Sequence, residues 1–226
     1  MTTILITGAN RGIGFALAKA ALEKGWTVYG SARTQTQAEE TAAKLGPNFR
    51  PLTFDVTDHE AVRQAAASLD TPIDILINNA GIIGSDRQST LDMDFAGFAQ
   101  TLAINTLAPL AVAQAFLPQI RKAERGRILT VSSQMAWMGY GKSDRIAYRA
   151  SKAAVNKVMQ GLATDLEADK IAVALIDPGW VRTDMGGAEA DHEATDVAAG
   201  IVRIADRLSM DDTGKFFKWS GEERPF

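Results

Sequence analysis

The sequence has no cysteine, which excludes disulfides, a thiol nucleophile and thiolate metal sites. Histidine is almost as scarce: His59 and His192 are too few for a metal centre and leave little for a histidine-based triad. No metal site is expected. Charge of one sign is missing too. The net charge is −3, and acids and bases are mixed along the chain, with no basic block suited to a nucleic-acid backbone or an anionic membrane surface. Uninterrupted apolar runs stop short of the roughly 18 residues of a membrane helix. Met1 leads almost directly into the apolar Ile4–Ile6, with no basic start and small-residue cleavage site. The expectation is a cytoplasmic protein with neither nucleic acid nor membrane among its partners. Any catalysis has to come from other side chains.

What the chain does have is apolar bulk. Of its 226 residues, 46% are hydrophobic, enough for one substantial core, and the length is short for two domains, so residues 1–226 are expected to form one domain. Short apolar runs bounded by turn signals predict strands at Ile4–Thr7, Thr27–Ser31, Arg50–Phe54, Ile73–Asn78, Arg127–Ser132, Ile171–Asp177 and Lys215–Lys218. Between them, Ala-rich stretches with helical spacing predict helices at Ile13–Lys24, Gln37–Leu45, His59–Leu69, Ala96–Arg121, Ala147–Ala168 and Ala194–Leu208. This alternation implies right-handed crossovers and a parallel sheet covered on both faces. Most of the strands are continuously apolar, as burial on both sides requires. The predicted class is therefore α/β, a three-layer doubly wound Rossmann fold with a seven-stranded parallel sheet. The irregular stretches Ile82–Leu91 and Gln134–Arg145 follow strand ends, where ligands bind in such sheets. Gly186–Glu193 is the third irregular stretch, and Gly186 and Gly187 suggest that it is mobile.

The first strand runs into Thr7-Gly8-Ala9-Asn10-Arg11-Gly12-Ile13-Gly14, which sets three glycines at a strand-to-helix turn. There the backbone can approach a ligand closely, and free N–H groups face an anion. The spacing Gly-x-x-x-Gly-x-Gly departs from the generic dinucleotide fingerprint. An acid about 20 residues on would select NAD, but Thr27–Thr34 contains none and offers Arg33, while Arg11 lies inside the loop. Two guanidiniums suit a 2′-phosphate, so NADP(H) is expected over NAD(H).

Taken together, Thr7–Gly14, Asn78-Asn79-Ala80-Gly81, Asn105, Ser133, Tyr148-x-x-x-Lys152 and Pro178-Gly179 resemble the short-chain dehydrogenase/reductase family in order and separation. Pro178–Gly187 and Gly214–Gly221 look like its compact C-factor and sniffer-type carbonyl reductase branch. The resemblance implies a catalytic set of Asn105, Ser133, Tyr148 and Lys152. It also implies cofactor contacts from Gly8, Asn10, Arg11, Gly12, Ile13, Gly14 and Arg33, from Asp55 and Val56, and from Asn79, Ala80 and Gly81. Tyr148, Lys152, Pro178, Gly179, Val181 and Thr183 complete that implied cofactor set. Asp55 reads equally as an N-terminal acid for the next helix, and Pro178-Gly179 as a plain turn.

Four residues apart on one helix, Tyr148 and Lys152 point from the same face. A nearby ammonium is expected to lower the phenol from its usual pKa of about 10. By resemblance, Lys152 also binds the nicotinamide ribose and Ser133 holds the substrate oxygen. Ser132 competes for the serine role, but the family uses the second of such a pair. From Ser133 to Tyr148 is 15 positions, about two more than is common, so the connecting loop is enlarged. Pro109 lacks the N–H that would bond the Asn105 carbonyl, which is therefore freed or sits at a kink. In the family that carbonyl holds a water of a proton relay.

Trp137, Met138, Tyr140, Trp180 and Met185 are candidates for an apolar pocket wall. With no arginine placed as an anion handle, the expected reaction is hydride transfer with a small to medium uncharged aldehyde or ketone. The alternative is an NADP(H)-binding regulatory or signalling protein of the C-factor type with little turnover. The family's pairing of the two long helices implies a homo-oligomer, dimer or tetramer, with a monomer also known in that branch.

Overall fold

In the computed structural model, which describes residues 1–226, the alternating runs become seven strands and seven helices of a doubly wound layer structure. The strands are β1 (Thr3–Ile6), β2 (Thr27–Ala32), β3 (Phe49–Thr53), β4 (Ile75–Asn78), β5 (Arg127–Val131), β6 (Ala172–Asp177) and β7 (Phe216–Lys218). They pair in the order β3-β2-β1-β4-β5-β6-β7, every neighbour parallel. Helices α1 (Gly12–Glu23), α2 (Gln35–Leu45) and α7 (Ala194–Arg207) cover one face. The other face is covered by α3 (His59–Ala67), α5 (Ala108–Arg121) and α6 (Ile146–Asp165), with α4 (Phe95–Leu102) leading into α5. Chain order reverses between β1 and β4, so a cleft opens there at the carboxyl ends of the strands.

Side chains of β1 show why the central strands are largely apolar. Ile4 and Ile6 pack toward α1 and α7, while Leu5 between them packs toward α5 and α6. Each such buried side chain contributes about 1.5–3 kcal/mol. Only the margins need other devices. Pro51 is tolerated in β3 because that strand is an edge. The opposite edge, β7, is covered by the returning C-terminus, where Phe217 bridges Glu223 and the Arg224 N–H donates to the Phe216 carbonyl.

One helix departs from expectation. The stretch read as a continuous helix over Ala96–Arg121 is α4, a single π turn over Ala103–Leu107, and α5. Pro109 explains the break: without its N–H the Asn105 carbonyl has no i+4 partner, and the backbone widens so that Ala108 donates to Ala103. The combined helix Phe95–Arg121 has the length and mean hydropathy, 1.4, to cross a membrane. It nevertheless seats Val112, Phe116 and Ile120 in the core and buries hydrogen-bonded Asn105 and Gln119. Two short ladders also fell outside the sequence reading. Gln88–Ser89 pairs antiparallel with Asp92–Met93, and Val181–Arg182 pairs parallel with His192–Glu193.

Candidate active site

The glycine loop is shaped by contacts that admit no side chain. A Cβ on Gly14 would lie 2.1 Å from the Gly8 carbonyl oxygen and 2.5 Å from Asn79 Nδ2. Gly8 and Gly12 have φ of 66° and 55°, the left-handed region that glycine adopts freely. Thr7 ties this loop to the next: its hydroxyl accepts the N–H groups of Asn79 and Ala80, and Asn79 Nδ2 donates to the Thr7 carbonyl at 2.9 Å. No side chain caps the start of α1, and its first turn has no acid, so its N–H groups stay available to an anion.

A cavity of 730 Å³ opens above this loop. Every residue expected at the cofactor lines it, from Gly8 through Arg33, Asp55, Val56 and Asn79–Gly81 to Pro178, Gly179, Val181 and Thr183. The residues therefore fit a dinucleotide. Asp55 is not the acid of α3. It accepts from Thr57 N–H and hydroxyl, whereas Asp58 caps that helix. The two arginines also differ. Arg33 is exposed with no carboxylate partner, but Arg11 is drawn to Asp184 at 3.0 Å across the cleft.

Ser133, Tyr148 and Lys152 line the same cavity. Ser132 turns away, its hydroxyl donating to Asn156 Oδ1 at 2.5 Å, while the Ser133 hydroxyl faces the phenol. Lys152 Nζ lies 5.8 Å from the Tyr148 ring centroid and donates to the Val131 carbonyl at 2.8 Å. Burial governs both groups. Tyr148 is pushed up to about 12, chiefly by desolvation, against a lowering hydrogen bond from Ser133 and with a further rise from the Asp177 charge. Lys152 is pulled down to about 8 by desolvation. The phenol is thus raised and not lowered as expected: the cation that lowers it is Arg145, not Lys152, and dehydration of the phenolate prevails.

Asn105 does not line the cavity. Buried behind it, its side chain donates to the Ile82 carbonyl and Ser151 Oγ and accepts the Ile82 N–H, joining the loop after β4 to α6. Its carbonyl lies in the π turn that Pro109 causes.

The loop from Gln134 to Arg145 corrects the expected pocket wall. Trp137 and Tyr140 pack edge to face, 4.8 Å between centroids, and Met138 is 84% exposed; none of the three faces the cavity. Trp180 and Met185 do line it, together with Met135, Ile83 and Ile104. Gly186 is not a hinge by default: its Cβ would meet the Val181 carbonyl at 2.0 Å, and both Gly186 and Gly187 donate to Thr183.

Two residues at this site escaped the sequence. Gln88 is buried, accepts the Tyr148 N–H at 2.9 Å and donates to the Ile83 and Ser85 carbonyls. It supplies the cap that α6 lacks, since Arg145 enters that helix left-handed with φ 52° and no capping side chain. No local pattern marks a glutamine whose partner is 60 positions away. The second is Asp177, buried at the end of β6, whose Oδ1 accepts the N–H groups of Gln134 and Gly179. A carboxylate closing an apolar strand just before Pro178-Gly179 was its one available signal.

The chain resembles known proteins in sequence and in fold. Residues 2–194 match the short chain dehydrogenase family. C-signal from Myxococcus xanthus is 40% identical over 156 residues, covering 69% of this chain and 93% of that protein. The carbonyl reductase Sniffer of D. melanogaster superposes with a TM-score of 0.93 at 30% identity over the whole of both chains. The NADPH-bound carbonyl reductase from chicken fatty liver superposes with a TM-score of 0.90 at 29% identity, covering 100% of this chain and 99% of that one. A doubly wound sheet with a glycine-lined cleft at its switch point, matched over 193 residues by a family pattern (2–194), identifies the chain as a member of the short-chain dehydrogenase/reductase family of oxidoreductases.

Proposed function

We propose that this protein is an NADP(H)-dependent carbonyl reductase. The observation that carries the reading is the presence of Ser133, Tyr148 and Lys152 in one cleft with the uncapped, glycine-lined start of α1. The bound cofactor would supply the hydride. Held protonated by burial, Tyr148 is suited to donate its proton to the substrate oxygen as negative charge develops there. Ser133 orients that oxygen beside the phenol. Lys152, a cation through most of the neutral range, binds the ribose and favours the phenolate left after proton transfer. Asn105 acts through its carbonyl, freed by the π turn for the water that returns the proton, while its side chain steadies the loop after β4.

Cofactor choice rests on Arg33, an unpaired cation beyond the end of β2, where no acid is present to bind a ribose hydroxyl. Arg11 assists when released from Asp184. The apolar wall of Ile83, Ile104, Met135, Trp180 and Met185 supports an uncharged aldehyde or ketone of small to medium size. Residues 1–226 act as one domain, in the cytoplasm, and the exposed apolar side chains Leu91, Phe95 and Leu107 around and after the start of α4 support a homo-oligomer. We expect kcat/KM with NADPH to exceed that with NADH at least tenfold, and Arg33→Asp to erase most of that margin, because a charge-assisted phosphate bond is worth about 1.5–3 kcal/mol. Equal kcat/KM with the two cofactors would overturn the assignment. The likeness to C-signal keeps a second reading in play, a cofactor-binding signalling protein. Absence of turnover by the wild type across a broad carbonyl panel, with NADPH binding intact, would favour it.

A further inference from the structure

Asp177 has a second contact that ties the active site to the far end of the chain. Its side chain is 5% exposed. Oδ1 accepts Gln134 N–H and Gly179 N–H, each at 3.0 Å. Gln134 directly follows Ser133, and Gly179 opens the segment that leads to Thr183, so one carboxylate oxygen holds both loops that flank the cleft. The other oxygen, Oδ2, is paired with Arg224 Nη1. Arg224 lies in the C-terminal segment that returns along β7. Its N–H donates to the Phe216 carbonyl, its guanidinium lies 5.7 Å from the Phe216 ring centroid, and Phe226 stacks on that ring. The Arg224 side chain is 12% exposed, and its Nε meets no acceptor. Surface ion pairs contribute little, but a buried pair is different: removal of one partner leaves an uncompensated charge out of water.

We propose that Arg224, through Asp177, is a positioning residue of the active site, and that the C-terminal strap is the element which holds the Ser133 and Gly179–Thr183 loops in register. Without the guanidinium, the Asp177 carboxylate has two N–H donors and no counter-charge, and it turns toward solvent or toward another cation. Both loops lose their common anchor. Asp177 also acts on Tyr148 as an unfavourable charge for the phenolate; Arg145 and the Ser133 hydroxyl act in the opposite sense. The inference rests on the proposed roles of Ser133 and Tyr148 for its effect on turnover, but not for its effect on the loops.

The test compares Arg224→Met, Arg224→Lys, Asp177→Asn and the double variant Asp177→Asn/Arg224→Met. Asn keeps Oδ1 as an acceptor for both N–H groups, and Met keeps most of the buried bulk, so the double variant removes both charges and preserves the bonds. Arg224→Met should lower kcat at least tenfold, with a smaller rise in KM for NADPH because the Gly179–Thr183 loop also reaches the cofactor. Amide exchange should rise in peptides containing Gln134 and Gly179 and stay unchanged in α1 and β4. Arg224→Lys should recover part of kcat, and the double variant should return kcat to within threefold of wild type and restore protection in both loops. The proposal is overturned if Arg224→Met leaves both exchange and kcat unchanged, or if the double variant is no better than the worse single variant. Should Arg224→Met fail to fold, Asp177→Asn alone against the double variant gives the same comparison. If the wild type shows no turnover at all, the exchange arm still decides the matter, because it reads the loops and not the reaction.

Discussion

At the scale of single residues, the site is made by dehydration. Tyr148 and Lys152 are the two ionisable groups moved furthest from their ordinary values, one up and one down, and burial is the first cause of both. For Lys152 this has a consequence for stability. Its folded value of about 8 lies below the ordinary 10.5, so between these pH values the unfolded chain holds the proton more tightly and stability rises with pH. Below pH 8 the full unfavourable contribution, about 3 kcal/mol, is present. Lys152→Met should therefore stabilise the fold by about 2 kcal/mol at pH 7, after loss of about 1 kcal/mol for the bond to the Val131 carbonyl. That gain should shrink as pH rises through 8 toward 10.5. Urea denaturation over this range is the check; a variant less stable than wild type at pH 7 would contradict it. The identities of Tyr148, Lys152 and Ser133 were legible because a four-residue spacing and a strand-end serine pair are local facts. Their protonation states were not, because desolvation depends on what the rest of the chain packs around them.

At the scale of elements, strands and helices were legible to within one to three residues at their ends, since continuous apolar runs and Ala-rich stretches record burial directly. Pro109 foretold a disturbance at Asn105, although not that it would take the form of a π turn. Other features arise only from contacts between distant segments. Gln88 joins the loop after β4 to the first turn of α6, where Tyr148 is fixed, and the aromatics Trp137 and Tyr140 satisfy each other instead of facing substrate. Gln88→Leu keeps the bulk but leaves the Tyr148 N–H and two carbonyls without their partner. A loss of about 1–3 kcal/mol is expected, which for a chain of this size lowers Tm by roughly 3–10 °C. A larger loss in kcat than in NADPH affinity should accompany it. Calorimetry and steady-state kinetics together test this; unchanged kcat would show that Tyr148 does not depend on this cap.

At the scale of the whole molecule, one surface is unlike the rest. Phe95 and Ala99 on α4 and Leu107 in the π turn are exposed, Phe95 79% and Leu107 54%, and Leu91 just before α4 is also bare. Large exposed apolar side chains of this kind are suited to a second copy of the chain. Light scattering should give an oligomer for the wild type, and Leu107→Glu should yield monomer, since a carboxylate buried at such a contact is strongly disfavoured. A monomeric wild type would remove this part of the account. The class of the fold and the outline of the cleft were visible from the sequence because each motif has a fixed place in a doubly wound sheet. The strap from Gly221 to Phe226 was not, because its partner is the buried end of β6 and no local pattern joins the two.

The central claim is that Tyr148 donates the proton when a carbonyl is reduced with NADPH. Its most direct test is the kcat for carbonyl-dependent NADPH oxidation by wild type and Tyr148→Phe, measured beside the cofactor Kd by fluorescence. Removal of a general acid should lower kcat by a factor on the order of 10²–10⁴, with NADPH bound within a few-fold of wild type. A Tyr148→Phe protein that turns over at the wild-type rate, or one whose loss in rate is fully explained by failure to bind NADPH, would contradict the account.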